Sequence, residues 1–451
     1  MFDFGKKIHF VGIGGSGMCA LASLLFEKGY EISGSDISYS ENIRSLNSLG
    51  ARVFIGHSSK NVKKDVNLLV YSDAIGPDNP EIKSAKNKKI KTFNRGEFLG
   101  LFTSAYKNLI AVSGTHGKTT VSAMLTNVLI DSGKDPTSIL GARFHRLRGN
   151  SCLGNTELCV CEACEYIDNF LYLGPEIGII LNIDSDHLDY FKTFDNVKKS
   201  FKKFAQRCKR KLIVNGDDVN SVSVVEDLKL EKVFFGSKEN LGFCATNIVV
   251  DQNGCPKFDV LKNGEKYLDL YLNISGEHNA LNSLAALAVC DDFGIDRYVT
   301  KNSLENFRGA DRRFVFVGKK RGVSIFDDFA HHPTEIEAVL KTAKQMNFTK
   351  VWVVFQPHTF SRTSMFLDKF AKSLSIADKV ILTDILPVRE TNIYGIKSED
   401  LCEKIDGAIV IRKFEDVADY IYKNAKLGDM VITMGGGDIY KCNKIIYKTL
   451  S

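Results

Sequence analysis

No stretch of this 451-residue chain approaches the ~20 uninterrupted apolar residues of a membrane-spanning helix, which excludes a helical integral membrane protein. The N-terminal segment carries only Lys6 and Lys7 before glycines break up the next apolar run, so no secretory leader is expected. The charge excess is small. Sixty basic against 54 acidic residues give +6, too little to argue for a nucleic-acid partner but enough to favour polyphosphate ligands. A disulfide framework is missing too, because the 11 cysteines are odd in number and scattered, and they read as reduced thiols. Cys159, Cys161 and Cys164 are the one cluster; they lack the second pair a structural zinc site needs and are expected to be buried. Internal repeats and low-complexity segments are absent. These absences predict a cytoplasmic enzyme with no membrane insertion and no nucleic-acid partner; a monomer or homodimer is the expected state, which no feature of the sequence decides. An apolar content of 44% and a length near three times ~150 residues fit about three globular domains.

The most informative stretch lies at residues 109–129. An apolar run, Leu109-Ile110-Ala111-Val112, reads as a buried parallel strand. It enters Ser113-Gly114-Thr115-His116-Gly117-Lys118-Thr119-Thr120, and Val121, Met124, Leu125, Val128 and Leu129 then recur at helical spacing. A strand, a glycine-bearing turn and a helix opening on Lys-Thr form a phosphate cradle. Gly114 and Gly117 let backbone N–H groups approach an anion, Lys118 supplies charge to the β- and γ-phosphates, and the Thr119 hydroxyl holds Mg²⁺. The usual first glycine falls at Val112, so the motif is a shortened variant.

Upstream, Ile8-His9-Phe10-Val11 is a short strand followed by Gly12-Ile13-Gly14-Gly15-Ser16-Gly17-Met18 and a helical apolar pattern. A second strand ends in Asp36, about 20 residues on, as a dinucleotide fingerprint requires. The pattern establishes a nucleotide-diphosphate site more firmly than it establishes NAD. Ser72 opens a Gly/Pro-bearing loop after the strand Leu68-Leu69-Val70-Tyr71, at a strand end where open α/β sheets place ligand contacts.

Further on, a strand ends at Glu162, with Glu165 and Asp168 close behind, and another at Asn182, followed by Asp184, Asp186 and His187. Thr119, Glu162 and phosphate oxygens suit one magnesium ion, and His187 a second. Residues 192–211 read as an amphipathic helix with a basic solvated face, and Lys262-Asn263-Gly264 as a hairpin turn. His278 and Asn279 start a helix. The last section has strands ending at Asp327-Asp328 and Phe355, with His331-His332 and His358 to Arg362 behind them, and a strand entering Gly435-Gly436-Gly437. The fold class predicted is α/β with three open α/β domains: Rossmann-like over 1–106, a P-loop-type ATPase over 107–310, and Rossmann-like over 311–451.

In this order the motifs resemble the Mur ligase family across essentially the whole chain. The residues that carry the likeness are Gly12 to Met18, Ser113 to Thr120, Asn182 to His187, Gly276-Glu277-His278-Asn279, Asp328 to Thr334 and Gln356 to Arg362. The resemblance implies that the three domains bind a UDP-sugar, ATP and an incoming amino acid, here UDP-N-acetylmuramate and L-alanine. The first glycine loop (Gly14, Gly15, Ser16, Gly17, Met18, with Asp36 and Ser72) is thereby reassigned from NAD to uridine diphosphate. Asn279, Arg313 and Asp328 join Gly114 to Thr120 in serving ATP. Lys118, His187, His332 and Arg362 take catalytic roles, His331 and His358 line the place where substrates meet, and Thr119, Glu162 and His187 hold metal. The implied chemistry is an acyl phosphate made from a carboxylate and ATP and then attacked by an amine. The alternatives are a sister ligase of wall recycling that adds a ready-made peptide, an NAD oxidoreductase, which the Gly-Lys-Thr-Thr cradle opposes, and a non-catalytic sugar-nucleotide sensor. The chain departs from the family in one segment. Many relatives read Glu-Ala-Asp-Glu-Ser-Asp where this sequence has Glu162-Ala163-Cys164-Glu165-Tyr166-Ile167, so both glutamates remain and both aspartates are gone.

Overall fold

The computed structural model describes residues 5–147, 149–388 and 390–450. The chain forms two compact units, one from Met1–Asp184, Thr193–Gly236 and Ala285–Ser303, the other from Ser185–Lys192, Ser237–Leu284 and Leu304–Ser451.

In the first unit, the strands Arg52–Ile55, Glu31–Asp36, Lys7–Val11, Leu68–Tyr71 and Lys91–Asn94 lie side by side in that order, all parallel. The first strand in sequence is central and the order reverses on either side of it. The glycine loop after Val11 and Ser72 after Tyr71 therefore meet at the reversal, where an open α/β sheet leaves its crevice. A second sheet runs Glu231–Gly236, Lys211–Asn215, Ile177–Ile180, Asn108–Ser113, Leu158–Glu162 and Thr137–Phe144, parallel throughout, with Gly149–Cys152 added antiparallel at its edge. Leu109, Ile110, Ala111 and Val112 are buried because neighbours flank the strand on both sides and the helix Lys118–Asp131 covers it. An unbroken apolar run is what such a position demands. Three strands thus end side by side at Ser113, Glu162 and Ile180, and their loops share one edge.

The basic segment forms the helix Phe194–Arg207, with Val197, Phe201, Phe204 and Ala205 buried and the lysines outside. Phe170 stacks on Phe204 with ring centroids 4.9 Å apart. Cys159 and Cys161 are buried free thiols, and burial pushes the Cys161 thiol up to about 12, as inert core cysteines behave.

In the second unit the sheet order is Val315–Lys320, Val323–Asp328, Met430–Met434, Val351–Phe355, Lys379–Leu382 and Ile409–Val410, parallel except for the first pair. Apolar layers cover both faces, one built on Val353, Phe355 and Phe370, the other on Ile325, Val354 and Ile446. The strands Phe243–Val250, Pro256–Lys262 and Glu265–Tyr271 pair antiparallel. Asn263 and Gly264 take φ of +52° and +84°, the left-handed pair that a two-residue hairpin turn requires. No helix among the described residues is long and apolar enough to cross a membrane.

Candidate active site

The phosphate loop is shaped by its neighbours on the sheet edge. Thr115 N–H donates to the Asn182 carbonyl (3.0 Å), and His116 N–H to Asn182 Oδ1 (2.8 Å). In return Asp184 N–H donates to Thr115 Oγ1 (2.9 Å). The His116 ring meets Asp184 Oδ2 at 3.1 Å. Gly117 caps the helix Lys118–Asp131 at φ +88°, where a side chain would be strained. An added Cβ on Gly114 would sit 2.8 Å from Leu181 Cβ. Both glycines are therefore dictated by turn geometry and close approach.

Lys118 folds back over this loop. Its ammonium donates to the Gly114 carbonyl, to the Thr115 carbonyl (3.0 Å) and to both Glu165 oxygens (2.9 and 3.2 Å). Burial would lower its pKa, but Glu165, Cys164 and Glu162 outweigh that penalty and hold it above the ordinary lysine value. Glu165, to which the sequence assigns no role, is the second of the two glutamates retained in the Glu162–Ile167 segment.

Glu162 stands at the end of its strand facing Thr119. The Gly141 N–H donates to Glu162 Oε1, and a Cβ added at Gly141 would lie 2.5 and 2.9 Å from the two Glu162 oxygens and 2.9 Å from Thr119 Oγ1. Three hard oxygen donors converging on one small space suit a cation such as Mg²⁺. Gly141→Ala is expected to fill that space and raise the magnesium concentration needed for half-maximal turnover at least ~10-fold, the loss typical when groups supporting a metal are disturbed. Magnesium titration of the initial rate checks this. His187 belongs to the second unit.

At the glycine loop, Asp36 Oδ2 accepts the Gly14 N–H (2.9 Å), and Asn42 Nδ2 donates to the Gly14 carbonyl (2.8 Å). Gly12 and Ile13 N–H groups hang on the Ser35 carbonyl. Below it, the buried Glu81 carboxylate accepts from Ser35 Oγ (2.6 Å), Asn61 Nδ2 (2.6 Å), Ser58 N–H (3.1 Å) and His9 Nε2 (3.1 Å). Burial opposes its charge, yet these donors hold its carboxyl below the usual range. Met18 is buried in the core, so only its backbone faces the loop. Ser72 Oγ accepts from Ala74 N–H (3.3 Å). Arg95, not singled out from sequence, lies against the loop, 3.2 Å from where a Gly17 Cβ would be.

In the second unit, Arg362 is buried and grips the buried Asp186 through Nε (3.1 Å) and Nη2 (2.7 Å). Asp186 Oδ1 also accepts the His187 N–H (2.7 Å). Burial works against the Asp186 charge, but Arg362 and the surrounding histidines hold its carboxyl well below the usual range. Arg362 Nη1 donates to His358 Nδ1 (3.1 Å), and the His358 and His331 rings meet at 5.4 Å. Burial and the neighbouring positive charge push His331 down to about 4 and His358 to about 2, so both are neutral at pH 7.

His332 caps the helix Pro333–Gln345. Its Nδ1 accepts from Thr334 N–H (3.3 Å), and Nε2 donates to the Ser185 carbonyl (3.1 Å). Asp328 is buried and accepts from Phe314 N–H (2.7 Å) and Ala330 N–H (2.6 Å). Burial pushes its carboxyl up to about 6, against the pull of Arg313 and those two donors. Arg313 lies over the Phe329 ring at 5.2 Å. Arg312, by contrast, is taken up by Asp327 and the Gly435 and Gly437 carbonyls. Asn279 sits in the first turn of the helix His278–Asp292 and bonds Ser275 O (2.8 Å) and Asn282 (3.0 Å).

A titration prediction follows for Asp328. A carboxyl raised in the folded state binds its proton more tightly there than in the unfolded chain. Its contribution therefore favours folding below about pH 4 and is lost as pH rises through about 6. A carboxyl-carbon NMR titration is expected to show this midpoint near 6.

Similarity to known proteins runs along nearly the whole chain. Residues 7–107 match the profile described as Mur ligase family, catalytic domain, residues 112–290 the Mur ligase middle domain, and residues 312–437 the Mur ligase, glutamate ligase domain. The chain is 45% identical to a UDP-N-acetylmuramate–L-alanine ligase of Caldicellulosiruptor saccharolyticus over 98% of both chains. It superposes on the crystal structure of the UDP-N-acetylmuramate-alanine ligase MurC of Thermotoga maritima with a TM-score of 0.85 at 31% identity, covering 98% of each. A murein peptide ligase of Psychrobacter arcticus shares the fold at a TM-score of 0.78 and 24% identity, over 99% of both. With a phosphate cradle of this construction and matches of this length, the chain belongs to the Mur ligase family.

Proposed function

We propose that this protein joins L-alanine to the lactyl carboxylate of UDP-N-acetylmuramate with cleavage of ATP to ADP and phosphate, an early cytoplasmic step of peptidoglycan synthesis. The observation that carries the reading is Lys118 at the head of its helix, with Thr119 and Glu162 converging beside it. A carboxylate is a poor acyl donor. The lactyl oxygen attacks the γ-phosphorus, ADP leaves, and an acyl phosphate forms. The alanine amine then attacks the acyl carbon, loses a proton, and phosphate departs with the C–O bond pair.

The first step is mostly positioning and charge neutralisation. Gly114, Thr115, His116, Gly117 and Thr120 shape the cradle, and Lys118 compensates the charge on the transferred group. Thr119 and Glu162 would hold Mg²⁺, which spreads the phosphate charge when bound; His187 is the candidate for a second ion. Gly14 and Gly15 shape the turn, their N–H groups held by Asp36 and the Gly12 carbonyl, and Ser16, Gly17 and Met18 present theirs to the uridine diphosphate, with Ser72 beside them. Asp36 and Glu81 hold that loop in shape. Asn279, Arg313 and Asp328 serve the adenine nucleotide. His332 acts by position, because both ring nitrogens are already engaged. Arg362, fixed by Asp186, is the buried cation that lines the place where the substrates meet. The proposed division of labour has boundaries near residues 106 and 311.

The peptide-adding alternative is less favoured, since the relatives that are 40–45% identical carry the alanine-ligase name. Phosphate release with ATP and UDP-N-acetylmuramate separates the two. L-alanine is expected to drive turnover and a tripeptide to leave the rate at background; the reverse would overturn the proposal.

A further inference from the structure

We infer that Glu165 is a positioning residue that competes with nucleotide phosphate for the Lys118 ammonium and gives it up when nucleotide binds. The inference rests on the reading of Lys118 as the phosphate-binding lysine and adds a regulated exchange to it. An ammonium has three protons. In this structure they go to the Gly114 carbonyl, the Thr115 carbonyl and the Glu165 carboxylate. None is left for a phosphate oxygen, so nucleotide must displace a partner. Glu165 is the partner to lose. It is 2% exposed, it brings negative charge beside the cradle, and its attraction is the largest of those that keep Lys118 charged.

The backbone behind Glu165 supports the assignment. Ile167 and Asp168 follow with φ of +56° and +57°, two consecutive non-glycine residues in the left-handed region. A β-branched residue there is a genuine outlier and is retained only where surrounding structure over-determines it. Those two residues reverse the chain, so that Asp168 N–H returns to the Glu165 carbonyl at 2.9 Å and Phe170 N–H to the Cys164 carbonyl at 3.0 Å. Glu165 is thereby held facing the lysine by a rigid turn.

The sign of the effect follows. A carboxylate that competes with phosphate for Lys118 weakens nucleotide binding and speeds product release. Glu165→Gln is expected to tighten ADP binding about tenfold, equal to about 1.4 kcal/mol. KM for ATP and kcat should fall together, because ADP leaves more slowly. Glu165→Asp keeps the charge and is expected to bind ADP within about twofold of the unaltered protein. Calorimetric ADP titration and phosphate-release kinetics on the full chain read these values.

A Glu165 that serves only packing would lower the melting temperature and leave ADP affinity unchanged or weaker, which overturns the inference. So would equal tightening in Glu165→Asp. Should Glu165→Gln fail to fold, a structure of the unaltered protein with ADP decides. Lys118 Nζ on a phosphate oxygen and out of reach of Glu165 supports the exchange, and Lys118 still on Glu165 refutes it. If the unaltered protein binds no ADP at all, the proposed function itself fails, which is a separate outcome.

Discussion

Replacing Lys118 with alanine is expected to lower phosphate release by about 10²–10³-fold while UDP-N-acetylmuramate still binds. Enzyme-like accelerations of ~10⁶ need about 8 kcal/mol of stabilisation specific to the transition state. A helix N-terminus supplies about 0.3–1 kcal/mol in an exposed setting, so the loop's backbone cannot carry the step. A fixed charge aimed at developing charge supplies several times more, and removing one donor of that type costs about 10²–10³ in rate. Sugar-nucleotide binding is expected to persist because the glycine loop is braced by Asp36, Asn42 and Glu81, none of which hydrogen-bonds Lys118. The alanine variant also leaves Glu165 buried without its Lys118 partner, which destabilises the fold. Lys118→Met combined with Glu165→Gln removes both charges. It is expected to regain the stability and none of the turnover, as thermal melting and the phosphate assay will show. Near-normal turnover in either variant would refute the role given to Lys118.

The second large effect is expected at Arg362. Arg362→Ala strands the buried Asp186 and is expected to destabilise the fold by about 3–5 kcal/mol, with loss of activity. The pH dependence has a definite sign. A carboxyl held low in the folded state contributes stability that is complete above its unfolded value near 3.9 and disappears as pH falls below it. The stabilising contribution of the pair should therefore be flat from neutral pH down to about 5 and collapse only in strong acid. Arg362→Met with Asp186→Leu replaces the pair by apolar side chains of similar size. It is expected to melt near the unaltered protein, because well-packed apolar substitutes for buried ion pairs are often neutral or stabilising. Turnover should stay lost if Arg362 serves the substrate and return if its role is structural. Denaturant melts over pH 2–8 and the phosphate assay measure both.

Much of this architecture is legible from local pattern. The run Leu109 to Val112 has the unbroken apolar character of a central parallel strand, and Asn263-Gly264 names its own turn. Val197, Phe201, Phe204 and Ala205 mark the buried stripe of their helix. The parts that escape sequence reading are those fixed by distant partners or by backbone strain. Arg362 and Asp186 are 176 positions apart, and nothing near either residue announces the pairing. The turn after Glu165 is made by Ile167 and Asp168 rather than by glycine, so no turn signal marks it. The edge hairpin Thr137–Phe144 with Gly149–Cys152 was also unread. Gly141 within it has meaning only once Glu162 and Thr119 are known to face it.

The strand ends at Ser113, Glu162 and Ile180 have one further consequence. The groups they align come from far-separated stretches: Lys118 meets Glu165 across 47 positions, and His116 meets Asn182 across 66. Each pairing closes a loop of dozens of residues, and non-local contacts of that kind form slowly. During refolding, catalytic competence should emerge in a single late phase together with the last interstrand ladder, with no partially active species before it.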